Sequence, residues 1–305
     1  MAKVKIENEI LERVALINKQ YIIDCEDAPT EPQEFLDWWW NQANDCKECY
    51  LCESRNSVVK PDGLASADIM IVGEGPGFLE DLARIPIVGP QELKSSHCNM
   101  CTKIKSCFSA RILDTPNSYG KKAKKVTCLP NYEDKEQITD TLFLRSTGSI
   151  LDGILLKWKF KFARHNWIEY YNKHHVGNEW EHKSPFFITN IAMCRTTDAT
   201  GLRDQSPSSV TKNKCKKWLA FQWAAVNPKI IICFGREALA VLAGNDKKAG
   251  LVVPNEIIQT KFGPVIYQQH PAAFMREDKK AVRALGYAKV YDTIKKALEY
   301  CEYDV

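Results

Sequence analysis

Ile69-Met70-Ile71-Val72-Gly73-Glu74-Gly75-Pro76-Gly77 decides the architecture. Four consecutive apolar residues, three of them β-branched, fit a strand buried on both faces, and the glycines and proline behind them force a turn. Three further runs have the same form: Phe186-Phe187-Ile188-Thr189-Asn190, Ile230-Ile231-Ile232-Cys233-Phe234-Gly235 and Val265-Ile266-Tyr267. Helical stretches separate them, so the expected class is α/β, with a central parallel four-stranded sheet flanked by helices. Ligands of such sheets bind beyond the carboxyl ends of the strands. Chemistry is therefore expected at Glu74 to Gly77, Asn190 to Cys194, Gly235-Arg236 and His270-Pro271.

Outward from this core, residues 1–45 read as an N-terminal helical extension to a main domain at 46–305. Two helical stretches, roughly 7–19 and 34–43, flank the breaker segment Asp27-Ala28-Pro29-Thr30-Glu31-Pro32. Trp38-Trp39-Trp40 cannot share one helix face, so at least one of the three rings is expected in the core. More than 110 residues separate the first two strands, too many for an ordinary crossover, and an insertion is expected at 90–146. Between His97 and Cys128 it carries seven basic residues against one acid, Asp114, a composition suited to phosphate contacts. The alternating stretch Lys157-Trp158-Lys159-Phe160-Lys161-Phe162 would, as a strand, put lysines on one face and rings on the other.

The chain of 305 residues is 45% apolar, enough for a sizeable core, and its 42 Lys and Arg against 38 Asp and Glu leave a net charge of +4 that is compatible with a nucleic-acid partner. No apolar run approaches the roughly 18 residues of a membrane span, and the start, MAKVKIENEI, carries charges where a signal peptide is apolar. A cytoplasmic monomer without a membrane partner is expected. Twelve cysteines in a reducing compartment read first as metal ligands. Cys46-x2-Cys49 has the spacing of a two-thiolate grip that Cys194 and Cys215 could complete. Spacing leaves zinc and iron-sulfur open, and Cys52 competes with its neighbours. A second set, Cys98, Cys101, Cys107 and Cys128, sits in the insertion with His97 as a substitute, and zinc is the expected metal there, since so small a lobe has little core of its own. Cys25, Cys233 and Cys301 read as small buried apolar residues.

In order along the chain stand Cys46-x2-Cys49-x-Leu51-x3-Arg55, the opening strand and turn with Glu80-Asp81 behind it, Pro86-x-Val88-Gly89, Leu151-Asp152, Thr189-Asn190-x3-Cys194-Arg195, Cys215, Pro228-Lys229-x4-Phe234-Gly235-Arg236 and His270-Pro271-Ala272-Ala273. The ordered set resembles the uracil-DNA glycosylase superfamily, most closely its iron-sulfur type, family 4. The resemblance implies a [4Fe-4S] cluster on Cys46, Cys49, Cys194 and Cys215, structural in role. It implies that Glu74 supplies a carboxylate and holds the attacking water, while His270 donates to the base carbonyl as charge builds there. Asn190 would read the base edge, and Gly75 and Gly77 would let the backbone approach the flipped nucleotide. Arg236, Phe274, Met275 and Arg276 would meet DNA, with Phe274 and Met275 where the family places a wedge.

Two departures bear on the substrate. Ile87 stands where the family usually has a phenylalanine that stacks on the extruded base, and an aliphatic side chain is a weaker platform. The segment from Gly89 to Ser149, a short loop in the family that is expanded here by roughly 55 residues, and a lengthened stretch at 164–184 both suit a larger substrate. The expected activity is a monofunctional DNA glycosylase that hydrolyses the N-glycosidic bond of a noncanonical pyrimidine. The preferred base is a bulky one, such as hydroxymethylated or glucosylated cytosine of phage DNA, which would make the protein an antiphage enzyme. Uracil excision in repair is the alternative, and a catalytically silent DNA-binding module the third reading. A phosphate cradle at Gly73 to Gly77 is disfavoured, because the spacing is not G-x-G-x-x-G and Pro76 lacks a backbone N–H.

Overall fold

The computed structural model describes residues 8–77, 80–81, 84, 86–87, 147, 151, 184–198, 204–244, 250–275 and 280–305. The insertion with Cys98, Cys101, Cys107 and Cys128, the alternating stretch 157–162 and Arg276 lie outside the described residues.

All four apolar runs form parallel strands: β1 (Ile69–Gly73), β2 (Phe186–Asn190), β3 (Ile230–Phe234) and, later in the chain, β5 (Gly263–Gln268). A short antiparallel strand, β4 (Ile257–Thr260), pairs with β5 and completes a five-stranded sheet in the order β2-β1-β3-β5-β4. This edge strand escapes a reading by apolar runs because it is half-buried and ends in Gln259 and Thr260. Pairing of Gly73 with Asn190, Val72 with Cys233 and Phe234 with Gln268 levels the carboxyl ends of the parallel strands along one edge.

Alternation along the strands divides the core in two. Met70, Val72, Ile231, Cys233, Val265 and Tyr267 face α1 (Glu9–Ile17), α2 (Pro32–Ala43), α3 (Ser209–Val226) and α4 (Arg236–Ala243). Ile69, Ile71, Ile230, Ile232, Phe234 and Ile266 face the other way, against α5 (Pro271–Met275) and the long α6 (Lys280–Tyr300). On α6 the buried Val290, Ile294, Ala297 and Leu298 recur at helical spacing and form one apolar stripe.

The N-terminal extension is two helices, as the breaker segment implies. Asn8 caps α1 by accepting from the N–H groups of Ile10 and Leu11, and Pro32 opens α2, where its missing N–H costs nothing. Of the tryptophan triplet, Trp39 is 1% exposed and the others are half-buried. Trp38 leans on Phe35 at 5.2 Å and Phe221 at 6.2 Å, so the extension is packed onto α3. At the opposite end of the sheet from the strand carboxyl ends, Tyr303 donates to Asp68 at 2.6 Å and pins the C-terminal segment. Among the described residues no helix is long and apolar enough to cross a membrane.

Candidate active site

Glu74 leaves β1 half-buried, and its carboxylate makes no hydrogen bond or ion pair among the described residues. Gly235, with φ at 97°, turns the chain from β3 into α4 in a conformation that favours glycine. A Cβ at Gly235 would lie 4.0 Å from Glu74 Oε2 and 3.8 Å from His270 Cβ, so the ends of β1, β3 and β5 meet there. The Ala272 N–H donates to His270 Nδ1 at 3.1 Å. That bond takes the lone pair of Nδ1 and leaves the ring hydrogen of the neutral imidazole on Nε2. Phe234 sets the ring edge-on, with centroids 6.2 Å apart.

Asn190 ends β2 at 6% exposure, and its amide also makes no hydrogen bond among the described residues. Its register partner is Gly73, where a Cβ would come within 2.3 Å of Asn190 Oδ1. The ladder continues past the strands, with Ile191 N–H donating to Gly73 O at 2.9 Å and Ala192 N–H to Glu74 O at 3.2 Å. The turn after β1 and the turn after β2 therefore run side by side. Gly73→Ala is expected to displace the Asn190 amide and lower catalytic efficiency by about 10- to 100-fold. Steady-state kinetics checks this, and an unchanged kcat/KM would show that Asn190 tolerates the methyl group.

Glu80 holds the far side of the turn. Its Oε2 accepts from Gly77 N–H at 2.6 Å and its Oε1 from Ile87 N–H, so one carboxylate closes the loop between them. Ile87, with φ at 53°, is 3% exposed and packs with Leu151 in the half of the core that faces α5 and α6. Beside Glu80, the buried Asp81 accepts from Asn56 Nδ2 at 2.7 Å and from the Ser57 N–H at 3.1 Å. Neither acid carries a role from sequence alone; the signal available was two adjacent acids in a loop behind the strand. Glu80→Gln can satisfy only one of the two N–H groups with its single acceptor oxygen, and a fall in release rate of about tenfold is expected from the misplaced loop. A single-turnover time course reads it, and a wild-type rate would show that the loop keeps its place without the clasp.

The family model for the Uracil DNA glycosylase superfamily matches residues 61–299. The chain belongs to that superfamily. Its members are DNA N-glycosylases, hydrolases that act on DNA, and the clustered strand ends lie within the matched region.

The four cysteines expected from the resemblance to hold a cluster come from four places. Cys46 follows α2, Cys49 precedes the tight turn Tyr50–Glu53 that holds the rival Cys52, Cys194 follows β2, and Cys215 sits in the second turn of α3. Burial pushes the Cys194 thiol up to about 11 and the Cys215 thiol up to about 12, and both also feel the charge of Cys46 and Cys49. Arg55 donates to Cys194 Sγ at 3.2 Å and to the Cys46 carbonyl at 2.7 Å, bridging two of the segments. Among the described residues no three His, Cys, Asp or Glu side chains are grouped so as to hold a single metal ion. The donor set fits a cubane in kind: four thiols within electrostatic range of one another, two of them buried, with a hydrogen-bond donor on a sulfur.

The residues expected to meet DNA fall differently. Arg236 opens α4, but its guanidinium donates to the Val252 carbonyl at 2.6 Å and stacks over the Tyr267 ring at 4.3 Å. Phe274 is 8% exposed and fills the space above Gly286, where a Cβ would come within 2.2 Å of its ring. In this structure it is a core side chain beneath the His270 loop, because a residue on α6 lacks a side chain there. Met275 ends α5. Gly286→Ala is expected to cost about 1–3 kcal/mol by overpacking. Thermal denaturation measures it, and an unchanged Tm would mean that Phe274 moves aside freely.

Proposed function

We propose that this chain extrudes a noncanonical pyrimidine nucleotide from DNA and hydrolyses its N-glycosidic bond, leaving an abasic site without cutting the strand. The observation that carries the reading is the meeting around Gly235 of the Glu74 carboxylate, without a hydrogen bond or ion pair among the described residues, and of His270, whose Nδ1 accepts from the Ala272 N–H. Breaking the bond from C1′ to the base nitrogen leaves positive charge on the sugar and sends an electron pair to the base. Glu74 stabilises the sugar cation and orients a water whose oxygen bonds to C1′. His270 donates from Nε2 to the base carbonyl, where the negative charge gathers. The proton lost by the water passes through Glu74 or solvent and ends on the departed base. Asn190, buried and with its amide making no hydrogen bond among the described residues, meets the base edge, so that a mismatched edge leaves buried polar groups unpaired. Cys46, Cys49, Cys194 and Cys215 would hold a [4Fe-4S] cluster that crosslinks the loops after α2 and β2 to α3.

The preferred substrate is a bulky modified cytosine, such as the hydroxymethylated or glucosylated cytosine of phage DNA, and the biological role is antiviral defence. Support comes from Ile87, which offers no aromatic face, and from Gly75, where even an added Cβ would stay 3.7 Å from Ala192 and Pro207. Zinc in the insertion is part of the same proposal. Uracil excision is the second reading, and Asn190 favours it: with Oδ1 turned to Gly73, Nδ2 is the atom left to donate to a base oxygen.

A release assay with mass detection decides between them, using uracil-containing DNA and, in parallel, phage genomic DNA rich in modified cytosine. Modified base set free while uracil DNA stays intact is the expected result. Free uracil assigns the protein to repair, and release from neither substrate by folded protein leaves the silent DNA-binding module.

A further inference from the structure

Residues 55–62 run as a strap beside β2 and touch both turns of the candidate site. Asp62 and Ile188 exchange two backbone hydrogen bonds, at 2.9 and 2.7 Å. Val59 N–H donates to Met193 O at 2.8 Å, in the turn that follows Asn190, and Lys60 N–H donates to Arg84 O at 3.2 Å, in the loop that follows β1. The start of the strap is fixed as well, because Arg55 holds Cys194 Sγ and the Cys46 carbonyl.

Asp81 gathers most of the bonds between the loop and the strap. It is 1% exposed, and a carboxylate so buried needs donors in place of its lost water. The strap supplies three: Asn56 N–H at 3.1 Å, Asn56 Nδ2 at 2.7 Å and Ser57 N–H at 3.1 Å. Ser57 Oγ donates a fourth bond, at 2.8 Å, to the Asp81 carbonyl. Glu80 and Asp81 share one helical turn, in which Asp81 N–H donates to Gly77 O at 3.0 Å and Arg84 N–H to Glu80 O at 2.8 Å. Neighbouring side chains on such a turn point about 100° apart. Glu80 therefore reaches along the loop to the Gly77 and Ile87 N–H groups, while Asp81 reaches across to the strap. One carboxylate closes the loop on itself, and the next fastens it to a segment that also holds the turn after β2.

We propose that Asp81 is a positioning residue for base release, and that the strap sets the spacing between the loop of Gly77 and Ile87 and the Asn190 amide. The effect on release rests on the glycosylase reading; the anchoring of the loop does not. Asp81 acts through the loop and does not itself meet the base. With the anchor in place an extruded base meets a wall already in position, whereas a loosened loop has to be ordered during each turnover, which raises the barrier.

The test uses the full chain carrying Asp81→Asn, which keeps the size of the side chain and removes its charge and one acceptor oxygen. Amide hydrogen exchange is followed at Gly77 and Ile87, and single-turnover release is measured beside the affinity for unmodified duplex. Exchange at the two amides is expected to rise about tenfold and release to fall about tenfold, with affinity within about twofold of wild type. Swapping the partners, Asn56→Asp with Asp81→Asn, remakes the side-chain bond with donor and acceptor reversed, and is expected to bring both rates back to within about threefold. Unchanged exchange in Asp81→Asn overturns the anchor. Faster exchange with a wild-type release rate overturns the positioning role, and so does a swapped pair that recovers exchange but not release. If Asp81→Asn fails to fold, Asn56→Ala at an exposed position removes the 2.7 Å bond alone. A change of about three- to fivefold in both rates is then expected, and no change in either overturns the proposal. Wild-type protein that releases no base from uracil or modified-cytosine DNA removes the glycosylase reading, while the exchange still upholds or overturns the anchor.

Discussion

Replacing His270 with alanine is expected to slow base release by about 10²- to 10⁴-fold while DNA affinity stays within about twofold. The asymmetry follows from where the residue acts. Negative charge on the base carbonyl is small in the bound substrate and large in the transition state, so a donor aimed there contributes mainly to the barrier. The bond from Ala272 N–H to Nδ1 orients the ring, and the hydrogen on Nε2 is what alanine removes. Glu74→Gln keeps the shape and removes the charge, and a comparable loss is expected from it. Because both groups sit beside Gly235, the double variant is expected to lose less than the product of the single effects. Single-turnover release with a parallel binding titration reads both quantities. A His270→Ala enzyme of unchanged rate would remove the histidine from the mechanism, and a loss confined to affinity would make it a binding residue.

Cys215→Ala is expected to empty the proposed cluster site, taking iron from about four atoms per chain to near zero and abolishing the visible absorbance of a cubane. The expected fall in Tm is about 10 °C, equivalent to roughly 3–5 kcal/mol at about 2–4 °C per kcal/mol for a chain of this size. The cost arises because α3 would lose its tie to the loops after α2 and β2, leaving Arg55 as the link between Cys46 and Cys194. Metal analysis of wild-type protein with one zinc and no iron at this site would sink the cubane. In metal-free protein the same thiols predict a pH effect. Burial raises Cys194 to about 11 and Cys215 to about 12 from the ordinary 9.0, so the neutral thiols are favoured by folding. Their contribution is fully present below pH 9 and is lost as the pH rises through 11 and 12, when the buried groups ionise. A thermal melt series across that range checks the sign.

Much of the fold was legible because its strands are buried on both faces. Such strands must be continuous and apolar, and β1, β2 and β3 are, so periodicity finds them without knowing their order. Glu74, Asn190 and His270 were legible for the same reason. A parallel sheet with level ends places whatever follows each strand on one edge. The helix pair before residue 46 was marked by its breaker segment, while β4 had no such mark, since an edge strand needs only one apolar face.

What stayed hidden depends on contacts between distant residues. Phe274 occupies a wedge position in the motif, yet the missing side chain at Gly286 draws its ring into the core. Arg236 follows a strand end and carries a charge suited to phosphate, but the Val252 carbonyl and the Tyr267 ring take its guanidinium. Glu80 and Asp81 stand side by side in sequence and hold different segments, one the Gly77 and Ile87 backbone and the other Asn56 and Ser57.

The amino-acid sequence by itself determined the α/β class, the four parallel strands and the identity of the residues at their carboxyl ends, because burial on both faces and strand polarity are local properties that a run of residues must obey. Only the tertiary structure decided that Asp81 reaches back to Asn56 and Ser57, and which of the basic and aromatic side chains turn inward. Those outcomes depend on space and partners contributed by residues far away in the chain, and no local pattern records them.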